Sequence, residues 1–268
     1  MLRVKLSVVY AMGLITVALG LVACSTAVVD KTLAMSPNAI YAEAKDSMDN
    51  GQYDKAVPLL EKLEARAAGT PLAQLAQLDK AYAQYRNGEP AQAISTLDRF
   101  MKLHPASPAL DYALYLKGII NFNDDLGLFS AISRQDLSER DQKASKEAFE
   151  SFKELIARFP QSKYSADAAQ RMNYIVSSLA QYEVHVARYY FKRGAYLAAL
   201  NRAQTAIADY RDVPALEEAL FIAYKSYDAL GLVALRDDTR RILETSYPQS
   251  EFLSKGFKTV DDPWWKFW

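Results

Sequence analysis

Gly51-Gln52-Tyr53-Asp54-Lys55-Ala56 returns as Gly88-Glu89-Pro90-Ala91-Gln92-Ala93 and again as Gly194-Ala195-Tyr196-Leu197-Ala198-Ala199. The shared pattern is Gly-x-(Tyr/Pro)-x-x-Ala, and its recurrence decides the fold. Two antiparallel helices cross closely only at a small side chain. The glycine allows the turn between them, and the aromatic plugs the crossing. Two further copies are degraded at the start and recognisable by their end. Ala148 stands twelve residues before Pro160 and Arg236 twelve before Pro248, the same distance that separates Ala93 from Pro105. Proline there ends the second helix of each pair.

Outward from these anchors, glycine and proline are sparse at ten each. Long segments carry helix-favouring Ala, Leu, Gln, Lys and Arg, with no run of alternating apolar and polar residues. The chain therefore reads as all-α. The anchors Ala56, Ala93, Ala148, Ala199 and Arg236 are spaced 37, 55, 51 and 37 apart. Two of these intervals fit a tetratricopeptide period of about 34 residues with slightly long loops. The expected architecture is a tetratricopeptide-like α-solenoid of about five helix-turn-helix repeats. Each pair cannot bury its apolar face alone, so the units stack and present a concave surface whose default use is binding.

The long intervals predict two departures from that regularity. Residues 119–140 form an insertion containing Asp124-Asp125, Gly127, Leu128 and Phe129, read as a long loop or short helix in mid-array. From Gln161 to Arg193 there is neither Gly nor Pro. Ile175, Val176, Leu179, Val186 and Tyr190 recur there at helical spacing, which predicts one long helix or two tightly joined.

The N-terminus carries an address. Arg3 and Lys5 precede a mostly apolar stretch from 6 to 20, followed by Leu21-Val22-Ala23-Cys24, a lipobox. Residues 1–23 are expected to be a lipoprotein signal peptide. Cys24 would take an S-diacylglycerol and an N-acyl chain, because several buried acyl chains anchor durably where one is marginal. An ordinary secretory signal that happens to precede a cysteine is the alternative. Ser25, where an aspartate would suggest inner-membrane retention, favours the periplasmic face of the outer membrane. Residues 24–38 then read as lipidated cysteine and flexible tether, able to span roughly 45–50 Å. At the other end, 251–268 is an aromatic tail with Trp264, Trp265, Phe267 and Trp268, suited to a partner or a headgroup interface, or simply frayed.

Charge and chemistry narrow the function. The chain holds 32 basic and 32 acidic residues, and no nucleic-acid footprint follows from such a balance. Cys24 is the single cysteine, so no disulfide or thiolate metal cage is possible within the chain. His104 and His185 lie far apart, the first expected as a cap, the second as core or groove packing. The pairs Glu217-Glu218 and Asp237-Asp238 point in different directions on helices, which suits solvated faces. No catalytic motif is present, and a non-enzymatic protein without metal or cofactor is expected. Tyr41, Tyr82, Tyr85, Tyr112 and Tyr115 fall on first helices, where they form a candidate groove for an extended peptide or fill space between helices. Tyr53 and Tyr196 are expected to be packing residues.

One set of segments is more specific than the repeat. Asp111-Tyr112-Ala113-Leu114-Tyr115 with Gly118, Phe159-Pro160-Gln161-Ser162-Lys163-Tyr164, and Asp167-Ala168 with Arg171 come first. Then follow Leu179-Ala180-x-Tyr182-Glu183-x-x-Val186-Ala187-x-Tyr189-Tyr190, Arg193-Gly194-Ala195-Tyr196 and Asn201-Arg202. Together with the lipobox these resemble the BamD family, lipoproteins of the outer-membrane β-barrel assembly machinery. The resemblance implies a protein that joins BamA and helps receive unfolded outer-membrane proteins for insertion, beside other lipoproteins such as BamC and BamE. It implies repeats 1–3 (39–160) on the substrate side. The long helix and repeats 4–5 (161–250) would face the membrane-proximal POTRA domain of BamA, with Asn201 and Arg202 as contacts. The aromatic ending departs from the family pattern. A periplasmic adaptor organising cell-wall or division proteins is the alternative on the same scaffold.

Overall fold

The computed structural model describes residues 30–123 and 142–257. Among them lie ten helices of 13 to 28 residues, which pair in chain order. The pairs are α1 (Pro37–Asp49) with α2 (Tyr53–Arg66), α3 (Pro71–Arg86) with α4 (Pro90–Leu103), and α5 (Leu110–Asn123) with α6 (Gln142–Arg158). They continue with α7 (Ser165–Lys192) and α8 (Tyr196–Asp209), then α9 (Ala215–Ala229) and α10 (Val233–Ser246), before a single helical turn at Phe252–Lys255. Each helix packs on the next, and first helices of neighbouring pairs also touch, α3 with α5 and α7 with α9. The result is the five-pair helical solenoid that the repeats predict. The Gly-free and Pro-free stretch is the single 28-residue helix α7. In the expected insertion, α5 continues to Asn123 and residues 124–141 lie outside the described residues.

Four of the five turns have one backbone. Gly51 and its equivalents Gly88, Gly194 and Gly231 take positive φ, 72° and 70° at the first and last. The next residue's amide then reaches back to the helix. Gln52 donates to Ser47 O at 2.8 Å, Glu89 to Gln84 O at 2.9 Å, and Ala195 and Leu232 to Tyr190 O and Tyr227 O at 3.0 Å. This Schellman closure satisfies a carbonyl that the helix end would otherwise leave open. The fifth copy, degraded as expected, still keeps its glycine at Gly231. The glycine stands five residues before Arg236, while Val233 replaces the aromatic or proline and Arg236 replaces the alanine.

The crossings follow the small-residue rule. Ala56, Ala93, Ala148 and Ala199 are fully buried. The fifth position is different, because Arg236 swings to Asp228 Oδ1 at 3.2 Å and stays partly exposed. Gly118 on α5 is a closer crossing still. A Cβ there would sit 2.3 Å from the ring of Phe152, itself fully buried on α6. Second helices end alike, with buried Phe100, Leu155 and Leu243 accepting the amides of His104, Phe159 and Tyr247 just before each proline. Each such apolar side chain removed from water contributes about 1.5–3 kcal/mol, which is where the array's stability comes from.

Charge ties supplement this packing. Glu64 on α2 accepts from Gln77 at 2.7 Å, Lys80 at 2.8 Å and Arg99 at 2.7 Å, joining pairs one and two. Burial raises its pKa, and the bonds from Lys80 and Gln77 with the charges of Lys80 and Arg99 outweigh that, holding it below the ordinary value. Glu218 corrects an expectation. It lies against Arg188 of α7, bonding Nη2 at 2.6 Å and Nε as well, and is largely buried rather than solvated. The adjacent carboxylates do diverge, but α9 packs on α7 and turns one of them inward.

The tether is shorter than 24–38. Pro37 already starts α1, with Ser36 as its cap, and residues 31–34 form a 3-10 turn. Asp30 bonds Lys62 at 2.8 Å, and Arg66 donates to the carbonyls of Thr32, Leu33 and Met35 at 2.5, 3.2 and 3.2 Å. Two cations on α2 thus strap the segment down. No helix among the described residues is long and apolar enough to cross a membrane.

Candidate interaction surfaces

Three of the five groove tyrosines belong to one ladder that crosses the first helices. Tyr41 on α1 donates its hydroxyl to Asp79 Oδ2 on α3 at 2.9 Å, and Lys45 Nζ lies 4.0 Å from the same oxygen. Burial pushes the Asp79 carboxyl upward, against the lowering effect of the Tyr41 bond and the Lys45 charge. On α5, Tyr112 stands with its ring 5.7 Å from Tyr164, and its phenol is pushed up by burial and then by the nearby Asp79 charge. Tyr115 stacks on Tyr164 at 4.6 Å and donates to Asp167 Oδ2 at 2.8 Å. Arg171 Nε bonds that carboxylate at 2.6 Å, while its guanidinium covers Phe122 at 5.0 Å. Phe122 meets Tyr174, half exposed, edge to face at 5.8 Å.

The ladder thus runs from α1 to α7, offering ring faces with phenol–carboxylate pairs between them. Such a surface takes an extended chain by apolar contact and hydrogen bonds. Asp79, Tyr164, Asp167 and Arg171 join it without having been expected as site residues. A carboxylate among tyrosines on a first helix is the signal for Asp79. Tyr82 and Tyr85 pack with Tyr112 on the core shared by pairs two and three. The Tyr82 hydroxyl accepts from Arg86 at 2.7 Å, its ring meets Tyr53 at 6.3 Å, and both tyrosines pack between pairs near the turn. Tyr53 and Tyr196 are packing residues as expected, the latter against Phe191 at 5.3 Å.

On pair four, Asn201 and Arg202 are exposed on α8. Arg202 Nη1 bonds Glu183 Oε2 of α7 at 3.1 Å, the carboxylate side chain being 8% exposed and the arginine 44%. That buried anchor fixes the stem of the arginine and leaves other N–H groups facing outward. Between α4, α5 and α6 lies a cleft of about 780 Å³ lined by Lys117, Lys146, Lys153, Glu147, Glu154, Met101 and Leu114. His104 caps α4 and leans on Phe100 at 5.2 Å. His185 is exposed, contrary to the expected packing, because α7 turns Glu183, Val184 and Ala187 inward. Cys24 and the Trp264–Trp268 stretch lie outside the described residues.

The sequence pattern of the YfiO family, described as an outer membrane lipoprotein, matches residues 33–243. The outer membrane protein assembly factor BamD of Neisseria meningitidis serogroup B is 47% identical over 262 residues, 95% of this chain and 98% of that protein. The chain belongs to the BamD family. BamD of Vibrio cholerae serotype O1 is 32% identical over 87% of this chain and 95% of that protein. Among solved structures, a kinesin light chain with nearly identical TPR-like repeats from Podosopora anserina aligns at a TM-score of 0.35. It is 18% identical over 81% of this chain and 100% of that one. The family match spans the ladder, Glu183 and Arg202, and stops at Leu243, short of the C-terminal aromatic segment.

Proposed function

We propose that this chain is a non-enzymatic scaffold of outer-membrane protein assembly, held by lipid on Cys24 at the periplasmic face of the outer membrane. Its C-terminal pairs four and five grip the POTRA domain of BamA. Its N-terminal pairs receive unfolded β-barrel substrates on the tyrosine ladder, with BamC and BamE as further lipoprotein partners. The observation that carries the reading is Arg202, an exposed guanidinium oriented by the buried Glu183 on a member of the BamD family. Arg202 supplies a charge-assisted bond across the BamA interface, the kind of contact whose truncation costs about 2–5 kcal/mol when buried in a complex.

Pull-down of BamA by the wild type and by Arg202→Ala tests this. The expected result is strong capture by the wild type and a loss of tenfold or more, about 1.4 kcal/mol, in the variant. Undiminished capture by the variant removes Arg202 from the interface, and no BamA in the wild-type pull-down removes the assignment. Depletion of the chain should lower β-barrel proteins across the outer membrane, whereas a cell-wall adaptor would leave them in place.

A further inference from the structure

Two oxygen atoms of the ladder have no partner within the described chain. Asp79 Oδ2 accepts from Tyr41 and faces Lys45 Nζ at 4.0 Å, whereas Oδ1 has no hydrogen-bond partner among the described residues. The Tyr112 hydroxyl on α5 likewise makes no hydrogen bond among them, and after burial it is the Asp79 charge that this phenol feels most. Neither oxygen is sealed from solvent. Both are open to a ligand, the first as a charged acceptor and the second as donor or acceptor.

The Asp79 carboxylate is under-compensated. Its side chain is 15% exposed, and the loss of water raises its pKa by more than Tyr41 and Lys45 lower it. Lys45 is a loose partner, since its own side chain is 41% exposed and its ammonium stands at the outer limit of an ion pair. A carboxylate so placed gains from one more donor, and a cationic donor gains it most. Leu75 narrows the kind of cation. It lies one helical turn before Asp79 on the same face of α3 and is 41% exposed. That puts an apolar seat about 6 Å along the helix from the carboxylate, a separation that the aliphatic stem of a lysine or arginine spans.

We propose that Leu75, Asp79 and Tyr112 form a subsite for a lysine or arginine side chain of an extended chain lying on the ladder. The stem rests on Leu75, the charged head donates to Asp79 Oδ1, and the Tyr112 hydroxyl takes a second N–H or a main-chain group of the same ligand. Chains with a basic residue at that point are thereby selected over chains with a neutral or acidic one. The subsite presupposes the ladder as the substrate surface.

Peptide binding by the full-length chain in mild detergent, read by fluorescence anisotropy, tests it. The probes are short, end-capped, fluorescein-labelled peptides in which tyrosine alternates with serine and one central serine is replaced by lysine, norleucine or glutamate. The lysine peptide should bind about tenfold tighter than the norleucine peptide, and the glutamate peptide more weakly than either. Asp79→Asn, which keeps an acceptor for Tyr41, should bind lysine and norleucine peptides alike. Leu75→Ser should weaken both of these while keeping their order, and Asp54→Asn, at an exposed acid of α2, should change nothing. In the wild type, a photoreactive lysine at the same peptide position should form its adduct on α3 or α5. Equal affinity of the wild type for the lysine and norleucine peptides overturns the subsite and leaves the ladder standing, whereas no binding of any peptide overturns the ladder and the subsite with it. A lysine preference that survives Asp79→Asn in a chain with unchanged far-UV circular dichroism, or an adduct outside α3 and α5, seats the cation elsewhere and overturns the proposal. So does self-association of the peptide-free chain that Asp79→Asn abolishes, which assigns the subsite to a second copy.

Discussion

The turns at the two ends of the array, Asn50-Gly51-Gln52 and Leu230-Gly231-Leu232, share a backbone and differ in surface. Both place glycine at positive φ and both close the helix with the same backward bond, 2.8 Å at Gln52 and 3.0 Å at Leu232. The fold therefore asks for the glycine and leaves its neighbours free. Polar side chains flank one glycine and exposed leucines the other. The halves behind them differ in the same sense. Pairs one and two are tied by Glu64, Lys80 and Arg99 and strapped by Arg66, while α10 buries only Leu243 and Arg236 stands where the other pairs have a crossing alanine. A solenoid's last helix has no following repeat to cover it.

The largest effect should come from breaking the N-terminal tie. Glu64→Ala leaves the nearly buried Lys80 without its counter-charge, and a loss of about 3 kcal/mol is expected in urea unfolding. The same tie sets an acid limit. The folded chain holds Glu64 below the ordinary 4.5, so the unfolded chain binds its proton more readily. Stability present above pH 4.5 is lost as pH falls through the lowered folded value. Glu64→Gln should flatten that part of the curve, and an unchanged slope would mean the tie is not where the acid sensitivity lies.

At the junction of the halves, Gly118→Ala pushes a methyl into the Phe152 ring, which has no open side to move to. About 2 kcal/mol should be lost, read as a lower melting temperature. Gly118→Ala with Phe152→Leu should recover part of it. Smaller and equal losses of about 1 kcal/mol are expected for Gly51→Ala and Gly231→Ala, since the backbone strain is the same at both ends. Unequal losses would show that the two turns are not equivalent. The exchange of Leu230→Asn with Leu232→Gln should move stability by under about 0.5 kcal/mol. A loss above 1 kcal/mol would make the leucines part of the fold itself.

Much of this was legible from residue type and spacing alone. The Gly-to-Ala motif and the proline twelve residues on locate five helix pairs and three of their turns, because steric limits at a close crossing leave few residue choices. Gly231 escaped because the motif also asked for an aromatic or proline and for an alanine, and Val233 and Arg236 broke it. The candidate surfaces were less legible. Tyr41, Tyr112 and Tyr115 could be placed on first helices, but their link through Asp79, Tyr164 and Asp167 depends on contacts 38 to 52 residues apart in sequence. Glu218 and His185 were misread for the related reason that helix register, not residue type, decides which side chain turns inward.

The central claim is a division of labour between the halves, substrate on the ladder and BamA on pair four. Photo-crosslinking in living cells addresses it most directly, with a photoreactive phenylalanine at Tyr174 beside the ladder or at Asn201 beside Arg202. Adducts with unfolded β-barrel proteins from position 174 and with BamA from position 201 are predicted. The same partner captured at both positions, or BamA captured at 174 and not at 201, would contradict the account.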